Sequence, residues 1–214
     1  MELTLLVAAT LLLVVSHVVP SAPGIRARLM ASAGRRGFYA GYSLLSVLAL
    51  LLVIWAWRGA AGGPWLYAPA YEGRLLAVAL MPLALFLLVG RLTTRPGGGT
   101  PHGIYRVTAV PGSMALLLWA LLHLPNLGEA RTVVLFLGMA AIALFALVKN
   151  YRHSPPARRR AGILPFAAIL TGRERLVWSE IGWRRLGAAL ALYLLLLAAH
   201  PYVIGVDPLA GVLP

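Results

Sequence analysis

The sequence predicts an all-α protein: a polytopic membrane helix bundle of about six transmembrane helices, with an interfacial amphipathic segment before the last. Three observations predict it. Of 214 residues, 60% are apolar and 12% charged, and the mean hydropathy is +0.83, which puts the chain outside the soluble globular class. Six apolar runs each approach the roughly 20 residues that cross a bilayer. The basic residues collect in alternate connections, as retained cytoplasmic loops do.

The runs fall at 3–19, 38–57, 73–92, 107–125, 131–149 and 185–206. The first is read as a retained helix rather than a signal peptide, because Glu2 is its only early charge and the residues after His17 are Pro-containing and arginine-rich. The fourth and fifth are nearly continuous, so PNLGEA between them is expected to be a tight turn, with Pro125 and Gly128 ending helices and Glu129 and Arg131 at an interface. The long connection 150–184 holds a Pro/Arg stretch, YRHSPPARRR, and an amphipathic stretch, GRERLVWSEIGWRR. In the second, Leu176, Val177, Ile181 and Trp183 are expected to face acyl chains while the arginines face headgroups. The Gly/Pro-rich segment GRLTTRPGGGTPHG reads as a loop.

Charge sets the expected orientation. The loops after helices one, three and five carry sixteen of the nineteen basic residues, and the opposite side keeps Arg58, Arg74 and Arg131 beside Trp55, Trp57, Trp65 and Tyr67. Both termini are therefore expected on the periplasmic face of a bacterial inner membrane. The net charge of +13 lies beside apolar runs rather than on a soluble face, so the expected partner is the lipid bilayer and not nucleic acid.

With no cysteine, disulfides, thiolate metal sites and covalently attached haem are excluded. No GxSxG, HExxH, P-loop or GxGxxG occurs in the strand and helix context that such chemistry needs. What remains is histidine: His17, His123 and His200 all sit inside apolar runs, where an unpartnered imidazole costs several kcal/mol, of order 2–7. A histidine near a helix end finds a partner in a backbone carbonyl, but three together point toward ligation, above all of haem b, whose porphyrin suits an apolar pocket between helices. His102 and His153 lie in loops and read as solvated.

Three stretches carry a resemblance. SHVVPSAPGIRARLMASAGRRGFYAGYSLLSVLALLLVIWAW resembles the opening of the NnrU family, WALLHLPNLGEARTVVLFLG its central segment, and IGWRRLGAALALYLLLLAAHPYVIGVDP its close. Their order and span imply one NnrU-like domain over 1–214. The family is associated with denitrification and nitric oxide reductase function, and is similar to 15-cis-zeta-carotene isomerase, a haem b membrane enzyme. The resemblance implies a bis-His haem with His17 and His123 as ligands, and either a role in nitrogen-oxide metabolism or isomerisation of an apolar isoprenoid. A non-enzymatic haem carrier, maturation factor or structural bundle assisting a respiratory complex is the alternative. At YRVTAVP, Val110 stands where the family's ITRHP motif has a histidine.

Depth gives a different pairing. At 1.5 Å per residue, His17 lies about 20 Å along its helix toward the cytoplasmic side, whereas His123 and His200 come out near the opposite side. All three remain candidate haem-iron ligands, two of the three ligating, and His123 is common to both pairings. The small residues around Gly138 and Gly187 suit helix contacts within one bundle.

Overall fold

A computed structural model describes residues 2–97 and 99–210. Among these, the elements are α1 (Glu2–Val18), α2 (Pro23–Gly59), α3 (Tyr71–Thr93), α4 (Ile104–Val107), α5 (Pro111–His123), a 3-10 turn (Leu124–Asn126), α6 (Ala130–Arg152), α7 (Pro156–Arg159), α8 (Ala167–Leu170), α9 (Trp178–Ile181) and α10 (Trp183–Val203). There is no strand among them beyond an isolated bridge between Trp65 and Glu129. Helices are the expected answer in lipid, where every backbone polar group needs a partner within its own segment. α2, α3, α6 and α10 are each long and apolar enough to cross a membrane, while α1 has 17 residues and α5 has 13. The chain is a multi-pass membrane protein.

Two compact units are built from Met1–Pro69 with Leu127–Phe145 and from Ala70–Asn126 with Ala146–Pro214. In the first, Leu6, Ala9 and Leu13 of α1 pack with Ala49, Val53 and Ala56 of α2 and Ile142 of α6. The spacing of three and four residues puts each set on one helix face. Gly138 of α6 meets Thr10 closely; a Cβ there would fall 2.3 Å from the Thr10 methyl, so a small residue sets this helix approach.

The stretch carrying Arg26 and Arg28 is helical, not a loop. α2 runs for 37 residues, about 55 Å, nearly twice the roughly 30 Å of a hydrocarbon core. It is broken at Gly34, whose φ of 68° only glycine adopts cheaply. Pro23 is preorganised for a helical start, and the residues that follow are good helix formers, so this arginine-bearing piece winds up before the span begins.

The expected PNLGEA turn is present. In the first unit, the amide of Leu66 donates to the Gly128 carbonyl at 2.8 Å, and that of Ala130 to Pro64 at 2.9 Å. Gly62 donates to Glu129 at 3.1 Å, Glu129 pairs with Arg131 at 2.9 Å, and the Arg131 guanidinium lies 4.2 Å from the Trp57 ring centre. Gly128 is required here because a Cβ would sit 1.8 Å from the Tyr67 carbonyl oxygen.

In the second unit, α3 packs against both α5 and α10. Its core joins Leu87 of α3, Ile104, Tyr105 and Val107 of α4, Met114 and Ala115 of α5, Leu147 of α6 and Ile181 of α9. Two glycines allow the close approaches: a Cβ at Gly90 would meet Ile104 at 2.6 Å, and one at Gly73 would meet Pro125 at 2.6 Å.

Two expectations need correction here. The fourth helix begins at Pro111 rather than 107, because Thr108 donates its hydroxyl to Ile163 at 2.7 Å and Ala109 its amide to Gly162 at 2.8 Å, and because a residue before proline avoids the helical region. The segment 172–185 is not one flat amphipathic helix. Gly182 breaks it with φ 75°, and Ile181 is buried in the core rather than facing acyl chains, while Trp183 is 79% exposed and stacks on Trp178.

Candidate functional site

Each of the three membrane histidines is tied to backbone by the same ring nitrogen. His17, in α1, places Nδ1 2.9 Å from the Leu13 carbonyl, which also accepts the Ser16 hydroxyl at 2.8 Å, and its ring meets Tyr42 edge-on. His123, the last residue of α5, places Nδ1 2.7 Å from the Trp119 carbonyl. His200, near the end of α10, places Nδ1 2.7 Å from Val206, in the turn that Pro201 and Gly205 bend back over it.

A carbonyl only accepts, so Nδ1 must carry the hydrogen in all three. That tautomer leaves the lone pair on Nε2, the arrangement by which a backbone or carboxylate partner orients an imidazole for metal ligation. The backbone contact expected of a bland histidine is therefore present, and it also prepares the opposite nitrogen to bind.

Location separates them. His17 belongs to the first unit, and His123 and His200 to the second. Within the second unit, the end of α5 is held against the start of α3, since Asn126 donates to the carbonyls of Leu122 at 2.7 Å and Gly73 at 3.2 Å, satisfying groups that a helix end leaves open. α10 packs on the same helix, with the Tyr193 hydroxyl donating to Val78 at 3.0 Å and Arg74 donating to the Ala210 carbonyl beyond α10. His123 and His200 thus both flank the first turns of α3.

Among the described residues, no three His, Cys, Asp or Glu side chains gather as a bare metal ion would require. A porphyrin asks less of the protein, one or two axial imidazoles, and that is the donor set these backbone-oriented rings fit. Val110 is 4% exposed in the apolar core, so its position supplies no further ligand.

Residues 5–208 match the model of the NnrU protein family. The chain belongs to the NnrU family. No curated protein and no solved structure matches it. The NnrU match takes in His17, His123 and His200, and reaches from the first turns of α1 to the bend beyond α10.

A second constellation in this NnrU chain joins α4 to α9. Arg106 grips Glu180 with two nitrogens, Nε to Oε2 at 2.7 Å and Nη2 to Oε1 at 3.0 Å, and reaches Glu174 at 3.3 Å. The Gly103 amide adds a bond to Glu180 at 2.7 Å, and His102, expected to be merely solvated, lies 3.3 Å from the same carboxylate. Hydrogen bonding from Arg106 is the main reason the Glu180 carboxyl is pulled down to about 2, and the same pairing raises Arg106. Arg185 completes the corner, donating to the carbonyls of Glu180 and Ile181 and to Thr93 at the end of α3. The sequence signal was the scarcity of acid: with only six carboxylates in the chain, two within seven residues of one basic loop needed an explanation.

Proposed function

We propose that this NnrU-family protein is a haem b protein of the bacterial inner membrane, with both termini periplasmic, serving nitrogen-oxide metabolism. One observation carries the haem reading: His123 and His200 stand at the same end of α3, each with Nδ1 bound to a carbonyl. His123 and His200, both of the second unit, would hold the group. Bound there, haem b would supply a redox-active iron open to exchange of one axial ligand. The protein's own contribution is to fix two imidazoles through their Nδ1 atoms.

Isomerisation of an apolar polyene such as zeta-carotene is the second reading, favoured by the family's similarity to that isomerase and weakened by Val110. A carrier or maturation role beside a respiratory complex uses the same ligands without a substrate.

The test is the absorption spectrum of detergent-purified protein, oxidised and then reduced. The parent and His17→Ala should show a b-type spectrum, and His123→Ala and His200→Ala should lose it. A b-type spectrum unchanged in His123→Ala would overturn the reading. Nitric oxide turnover by a deletion strain under anoxic growth on nitrate, and pigment isomers in a zeta-carotene-accumulating host, then separate the roles.

A further inference from the structure

A second place in the molecule is built for a ligand of opposite character. Within the second unit, a cavity of about 290 Å³ opens where the end of α3, the start of α5 and the end of α6 converge. Its walls include Arg91, Arg158, Gly112, Ser113, Asn150 and His153, and no carboxylate.

The donors facing this space exceed the acceptors. The first backbone bond into α5 is from Met114 to Val110, at 3.0 Å, so the amides of Gly112 and Ser113 have no carbonyl partner among the described residues. Ser113 is 8% exposed; its oxygen accepts from Asn150 at 2.9 Å, and its own hydroxyl hydrogen has no acceptor among the described residues. A buried, unspent donor of this kind is costly unless something else accepts from it.

Two cations complete the set. The stem of Arg91 runs across the helix start, and Gly112 leaves it room, because a Cβ there would fall 3.1 Å from the Arg91 Cγ. The Arg158 guanidinium sits 4.6 Å from the Tyr105 ring centre and gives one bond, to Gly97 at 2.8 Å, among the described residues. The chain's cytosol-type acids, Glu174 and Glu180, are held by Arg106 and do not reach this cavity.

We infer that this cavity binds a phosphate group, carried by an acidic phospholipid or by a soluble phosphate. Two amides, a buried hydroxyl and two guanidiniums offer more N–H and O–H donors than a carboxylate accepts, and they match the several oxygens and the charge of a phosphate. The meeting of the ends of two spans, α3 and α6, puts the cavity at headgroup depth, which favours the lipid source.

Native mass spectrometry of the full chain in detergent tests this, with dioleoyl phosphatidylglycerol, dioleoyl phosphatidylcholine and inorganic phosphate as probes. The parent should retain one phosphatidylglycerol over phosphatidylcholine, and Arg91→Gln with Arg158→Gln should weaken it by about tenfold or more. Arg160→Gln, an exposed arginine outside the cavity, should leave it unchanged. Displacement by inorganic phosphate identifies a soluble ligand; persistence in its presence identifies the lipid. Ser113→Ala removes the buried donor with little change of volume and should weaken binding severalfold even if the double variant does not fold. Equal retention of phosphatidylglycerol and phosphatidylcholine with no phosphate binding, or affinities equal in the parent and Ser113→Ala, would overturn the assignment.

Discussion

Replacing Arg106 by Met removes the guanidinium bonded to the carboxylates of Glu180 and Glu174, and the cost can be worked in two ways. Counted by contacts, two aligned charge-assisted hydrogen bonds to Glu180 are lost and two carboxylates are left facing each other's charge. A fully buried pair broken this way costs about 3–5 kcal/mol and an exposed one under about 1. With side chains 21% and 18% exposed, the expectation falls between, near about 2 kcal/mol. Counted by titration, a carboxyl moved from 4.5 to about 2 is worth about 3 kcal/mol before solvent screening and about 1–2 after it.

The sign follows from the direction of the shift. A depressed carboxyl stabilises the fold above its unfolded value, so the contribution is whole above pH 4.5 and is lost as pH falls from 4.5 toward about 2. Thermal unfolding in detergent at pH 7 should drop by roughly 5 °C in Arg106→Met. Glu180→Gln should lose much of the acid-side decline between pH 4.5 and about 2 that the parent shows. If Arg106→Met melts within about 1 °C of the parent, or Glu180→Gln keeps the full decline, the pair is not what anchors α9 to α4.

Other outcomes follow from particular contacts. Gly128→Ala forces a methyl into the Tyr67 carbonyl and should break the bonds from Leu66 and Ala130, costing about 2 kcal/mol and read as a lowered melting temperature. Leu87→Ala, at a side chain with no exposure, should cost about 2–5 kcal/mol, and Leu87→Met much less. His200→Ala should abolish the b-type spectrum while leaving helix content by circular dichroism unchanged, whereas His17→Ala should preserve both.

Most of the helical architecture was legible before any coordinates. Apolar runs near 73–92, 131–149 and 185–206 became α3, α6 and α10 with ends moved by no more than three residues. The turn at PNLGEA was readable because Pro125 and Gly128 are incompatible with a continuing helix whatever surrounds them. A depth count put His123 and His200 at similar depth, since rise per residue is a property of the helix itself.

Sequence alone thus determined which segments are helices and that the chain lives in a membrane, because both depend on local composition and on the cost of bare backbone in lipid. Tertiary structure decided the start of α5, the burial of Ile181, the grip of Arg106 on Glu180 across 74 positions, and the donors turned into the cavity beside Ser113. Those depend on how each helix is rotated about its axis and on which distant loop returns to meet it. In segments apolar on nearly every face, periodicity does not encode that rotation, and only packing selects it.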